Sequence, residues 1–221
     1  MEGRILRRQA DPRARSQIAG SGGRAITIRM MFGTAVAIIT AALLVSALML
    51  VTASVAGVNV ATAKAAKCKW AHRGPRHVSR RHARHAVVCQ INKKRHRHGL
   101  NGVASKHALR KAGKRHSKYM QRHNCFAHQC PGERDLVGRI NATSYLPCNC
   151  RWRVGETLAW AAKGGGTPSA IVRAWMHSPA HRHVLLDGQL KNVGIGLIWG
   201  SPSNPGARAA TYTADFGYKS G

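Results

Sequence analysis

The chain has 221 residues, 36 Lys and Arg against 7 Asp and Glu, a formal net charge of +29 and 44% hydrophobic residues. That apolar share excludes a chain disordered throughout, and the length fits one domain plus extensions. The charge excludes a cytosolic enzyme with a balanced surface.

No acid stands between Asp11 and Glu133, and the acids other than Glu2 and Asp11 lie in the last 89 residues. The basic residues divide as 7 in residues 1–63, 12 in 64–99 and 17 in 100–221. A basic front half therefore precedes a more ordinary globular half.

Residues 1–29 read as a basic cytoplasmic N-terminus. Residues 30–63 carry no charge and exceed the roughly 20 apolar residues that span a bilayer. Seven arginines precede them (Arg4, Arg7, Arg8, Arg13, Arg15, Arg24 and Arg29), which directs the downstream chain across the membrane. Small-x-small sites at Ala61-Thr62-Ala63 and Ala63-Lys64-Ala65 allow signal cleavage, and the length of the run equally allows a retained transmembrane anchor. Both outcomes place residue 64 onward outside the cytoplasm, secreted or at the cell surface. Outside, the six cysteines (Cys68, Cys89, Cys125, Cys130, Cys148 and Cys150) are expected to oxidise. A Cys68–Cys89 bridge is plausible. At least one bridge is expected between the Cys125/Cys130 group and the Cys148/Cys150 group. A zinc–thiolate site is the weaker alternative, because Cys-x-Cys is poor zinc spacing.

Residues 64–85 read as a basic His/Arg-rich linker, suited to an anionic cell-envelope polymer or lipid surface. Stacking aromatics are scarce, so no specific nucleic-acid partner is expected. The globular domain is expected over 86–221. A first helix is read from Ala86 to Gly99, with Val87, Val88 and Ile91 on one side, and a second over 104–123. His116, on the apolar stripe of the second, reads as a core histidine. Thr167-Pro168 opens a third helix, which Pro179 ends. Two strands close the chain: Val193, Ile195, Leu197 and Trp199 alternate with glycines, then Tyr212, Ala214 and Phe216 alternate with Thr211, Thr213 and Asp215. Helices first and antiparallel strands last give an α+β class.

Three segments carry candidate chemistry: Asn124–His128, Trp152–Trp160 and Ala174–Arg182. Taken in order, Cys89-Gln90-Ile91-Asn92, His116-Ser117, Phe126-Ala127-His128, Gly155-Glu156, Trp175-Met176…Ser178-Pro179-Ala180-His181-Arg182, Val193-Gly194-Ile195-Gly196 and Tyr212…Asp215-Phe216-Gly217 resemble the CAP superfamily of cysteine-rich secretory, antigen 5 and pathogenesis-related proteins. The resemblance spans roughly residues 86–217. It implies an α-β-α sandwich with a shallow cleft lined by His128, His181 and Glu156. It also implies sterol, lipid or cell-envelope roles. Two imidazoles in one cleft can hold a divalent ion such as zinc weakly, with Glu156 fixing a tautomer or a bound water. Thr157 stands where the family commonly has Asn, and Met176-His177-Ser178 lacks the second glutamate of the eukaryotic pattern. His177 and His183 read as surface histidines. The expectation is a binding or envelope-interaction module. The alternative is a metal-assisted peptidase or other hydrolase using His128 and His181 for metal and Glu156 as base.

Overall fold

Two alternating strands organise the molecule. In the computed structural model, which describes residues 4–7, 67–146 and 149–220, the closing strands are β4 (Asn192–Trp199) and β5 (Ala209–Lys219). They pair antiparallel, with Gly194 opposite Asp215 and Ile195 opposite Ala214. The preceding elements are β1 (Arg4–Arg7), α1 (Arg80–Arg97), β2 (Ala104–Ser105), α2 (His107–Arg122), α3 (Leu136–Asn141) and β3 (Trp152–Ala162). A 3-10 turn at Lys163–Gly166 leads to α4 (Pro168–His177) and α5 (Pro179–Leu185). The sheet order is β1-β3-β5-β4-β2, antiparallel except for the short β2–β4 pair.

The period of two sends side chains to opposite faces. On one face Val193, Ile195 and Leu197 of β4 and Tyr212, Ala214 and Phe216 of β5 join Ala83, Val87 and Ile91 of α1. Ile171, Val172 and Trp175 of α4 and Val184 and Leu185 of α5 complete this main core. On the other face Leu109 and Ala112 of α2 pack with Leu136 and Ile140 of α3 and Val154 of β3. The mixed α+β fold therefore has helices on both sides of one sheet. Close approach of α2 to the sheet depends on glycine: a Cβ on Gly194 would collide with the backbone of Leu109 and Arg110, and one on Gly196 with Gly113.

Several boundaries differ from the sequence reading. Helix α1 begins at Arg80, inside the expected linker, because Ser79 caps it by accepting from the His82 amide. Residues 67–79 also pack on the domain: Ala71 is buried, its carbonyl accepts from the Ser169 amide, and Trp70 stacks on His82. Strand β3 and helices α3 and α5 are elements that the sequence reading does not contain. Pro179 does end α4, but it also opens α5, since proline suits the first turn of a helix. Arg4–Arg7, expected in a cytoplasmic stretch, pair with Arg153–Glu156 along the outer edge of β3. Among the described residues no helix is long and apolar enough to cross a membrane; the candidate segment 30–63 lies outside them.

Cys68 and Cys89 are bridged, tying the basic segment to α1. Cys125 pairs with Cys130. This corrects the expected bridge between the two cysteine groups: a sequence separation of 5 already brings these two thiols into reach, leaving neither for Cys148 or Cys150. Cys150 is itself disulfide-bonded, and oxidised sulfurs do not make a zinc–thiolate site.

Arg95 sets the position of the last helix. Its buried guanidinium donates to the carbonyls of Asn101, Leu185, Asp187 and Leu190 at 2.8–3.1 Å, clamping α1 to the α5–β4 connection. Truncation would strand four acceptors around a cavity. Arg95→Ala is expected to cost about 3 kcal/mol or more in urea unfolding. A loss below about 1 kcal/mol would show that the clamp is not structural.

A buried Glu156–Arg139 centre as the candidate functional site

Glu156 lies mid-strand on β3, on the face covered by α2 and α3, and is fully buried. An ionised carboxylate there must be paired. Its Oε1 accepts from His128 Nδ1 at 2.6 Å, and its Oε2 accepts from Arg139 Nη2 at 2.6 Å. His116 Nε2 stands 3.8 Å from Oε2. Burial pushes this carboxyl up, but the His128 hydrogen bond and the charges of Arg139 and the two imidazoles outweigh it and hold it down at about 2.

Each partner is placed by local structure. Arg139 sits on α3, which Asp135 caps by accepting from the Gly138 amide. Its other terminal nitrogen donates to the carbonyls of His128 and Arg134 at 2.8 and 3.0 Å. One guanidinium thus holds both the carboxylate and the loop that presents His128. The Cys125–Cys130 bridge and the Tyr119 hydroxyl, which donates to the Pro131 carbonyl, close the same loop. Glu133, from this loop, accepts from His116 Nδ1 at 2.8 Å. His116 is buried as expected of a core histidine, yet its neighbours here are carboxylates.

Asp215 is the cross-strand neighbour of Glu156 and is equally buried. Burial first, then the Glu156 charge, push its carboxyl well above the usual range. The two acids are pushed in opposite directions, Glu156 toward its charged form and Asp215 toward its protonated one.

The structure brings His128 and Glu156 into contact. His181 is placed in the other helical layer, buried on α5 one turn before Val184 and Leu185. His177 and His183 are exposed. Arg139, Glu133 and Asp215 are site residues that the sequence reading misses. The signal for Arg139 is its place between Leu136 and Ile140, which puts an arginine on a short helix facing the core. Among the described residues, surface cavities of about 450, 340 and 230 Å³ are lined by other side chains.

The donor set can be tested for a metal. Both Glu156 oxygens already accept a hydrogen bond, a dication would lie beside the Arg139 charge, and His181 stands in the other helical layer. Among the described residues no three His, Cys, Asp or Glu side chains converge as ligands. This centre does not fit a resident metal.

A depressed carboxylate contributes stability that is present above its unfolded value and lost as pH falls through its folded value. For Glu156 that window runs from 4.5 down to about 2. The wild type is expected to lose on the order of 3 kcal/mol more than Glu156→Gln across it, read by urea unfolding at stepped pH. Asp215 has the opposite sign, since its raised folded value makes stability fall as pH rises above the unfolded 3.8. Asp215→Asn is therefore expected to gain on the wild type toward neutral pH. Parallel curves for all three proteins would refute the division of charge.

A family model described as the Cysteine-rich secretory protein family (CAP) matches residues 88–206. The uncharacterized protein YkwD of Bacillus subtilis is 31% identical over 114 residues, 51% of this chain and 41% of that protein. The chain thus spans well under half of that relative's length. An outer surface protein of Borrelia burgdorferi superposes with a TM-score of 0.53 at 17% identity, over 65% of this chain and 97% of that one. An extracellular SCP-domain protein of Bacillus anthracis gives a TM-score of 0.46 at 21% identity, over 63% of this chain and 43% of that one. With the family model covering more than half of the residues and the fold shared with a solved structure, the chain belongs to the cysteine-rich secretory protein (CAP) family.

Proposed function

We propose that this is an exported CAP-domain protein that works outside the cytoplasm as a binding or cell-envelope interaction module. The observation that carries this reading is the complete burial and ion-pairing of Glu156. A general base needs a lone pair that substrate or water reaches, and a poise near the working pH. Glu156 has neither: it is buried, both oxygens accept from His128 and Arg139, and it is held at about 2. Asp215 is too deep in the sheet to serve as the partner acid. The centre supports a rigid anchor for the α2–α3 loop, which presents His128 and the exposed Phe126.

The uncharged run 30–63 after seven arginines supplies the export signal or membrane anchor. The structural neighbour described as an outer surface protein supports the same location.

Two measurements test the reading. External protease should digest a C-terminally tagged chain on intact cells, and protection until lysis would contradict export. The purified full-length protein should release no product from peptide or cell-wall substrates, with or without added zinc. Turnover that Glu156→Gln abolishes would establish the hydrolase instead. Titration calorimetry with zinc should show no saturable uptake that depends on His128 and His181.

A further inference from the structure

A cavity of about 340 Å³ opens between the first half of α1 and the start of α2, floored by β4 around Gly194. Its rim carries Arg81, Arg84 and His85 from α1 and Lys106, His107 and Arg110 from the start of α2. Among the described residues no carboxylate borders it. The acids beyond residue 64 are used elsewhere: Glu133 on His116, Asp135 at the cap of α3, Glu156 on Arg139, Asp187 on Arg153, and Asp215 inside the sheet. The positive end of α2 adds to this field, because Lys106 at its N-cap supplies no side-chain acceptor to the first-turn amides.

The cations feel one another. Burial and then the charges of Arg110, Arg80 and Arg81 push the Arg84 guanidinium down. Lys114 is pushed down first by Lys118, then by burial, Arg80, Arg110 and Arg84. Arg110, Lys114 and Lys118 repeat every four residues, so they form a row along α2 that leads out of the cavity. This mutual repulsion favours an anionic partner, and the acids of the described domain are already committed.

We propose that the α1–α2 cavity seats one phosphate of a linear phosphate-bearing polymer between Arg84 and Arg110, and that the row Lys114–Lys118 carries the next phosphates along the polymer. Guanidinium forks and a helix N-terminus match phosphate oxygens in geometry as well as charge. From Arg110 to Lys118 the row spans about 12 Å at the helical rise, long enough for more than one phosphate. A nucleic acid is disfavoured because the exposed large hydrophobics, Trp70, Phe126 and Trp160, do not line the cavity, so bases find no stacking platform there. A membrane surface is disfavoured because the cavity lining, with Val88, Val193 and Ile195 as its apolar members, offers no large exposed apolar side chain to insert. The site is independent of the Glu156 centre and uses none of its residues.

The test is fluorescence anisotropy of the full-length protein with labelled linear polyphosphate over a salt series. Arg84→Gln/Arg110→Gln is expected to weaken binding about tenfold or more and to lower the salt slope by about two. Arg97→Gln/Arg122→Gln removes the same charge at the far ends of α1 and α2, and should change affinity by less than about threefold. Arg81→Gln, at an exposed position, should weaken binding with an unchanged melting curve, which guards against a folding defect. Orthophosphate should compete only near about millimolar concentration. Equal losses in the two double variants would reduce the effect to net charge and overturn the site. Orthophosphate as tight as the polymer would overturn the row. Tighter binding to phosphatidylglycerol vesicles or to single-stranded DNA than to polyphosphate would overturn the choice of ligand.

Discussion

The buried ion pair between Glu156 and Arg139 is the constraint on which the α2–α3 face depends. Taking two charges out of water costs several kcal/mol each, and attraction offsets this only with good geometry and every remaining hydrogen bond made. Here the second Glu156 oxygen is met by His128 and the second terminal nitrogen of Arg139 by two loop carbonyls, which leaves the Arg139 Nε as the buried donor of the pair without a partner among the described residues. The loop between α2 and α3 contains no regular structure, so these bonds and the Cys125–Cys130 bridge give it a fixed shape. The site residues are therefore held by one another more than by the helices that carry them.

Much of this is legible in the sequence, for reasons that differ by element. Strands β4 and β5 announce themselves because glycine or threonine alternates with large apolar residues. Helix α4 is bounded by Thr167-Pro168 and by Pro179. Strand β3 escapes because Val154 to Ala159 are buried on both faces, so the alternation that marks a half-exposed strand is missing. Helix α5 escapes because a proline that stops one helix can equally start the next.

In the site, His128 and Glu156 come from the family pattern, and the structure brings them into contact. Arg139 escapes for a statistical reason with a physical root: among 36 basic residues, one buried arginine has no compositional signature. Asp215 belongs to the polar side of β5, as its alternation with Ala214 and Phe216 implies, but that side is not wet. Gly194, Gly196 and Gly113 let α2 lie directly on it, and the acid is sealed beneath the helix. The same scarcity of acids explains the surface. The few carboxylates of the domain are committed to internal bonds, so the outer faces of α1 and α2 keep their positive charge.

The most direct test of this account is a carboxyl carbon-13 NMR titration of the full-length protein, with Glu156 and Asp215 assigned by substitution. Glu156 should remain ionised down to about pH 2, while Asp215 stays protonated well above the ordinary aspartate range. A Glu156 resonance titrating at or above 4.5 would contradict the claim that Arg139 and His128 have consumed its charge.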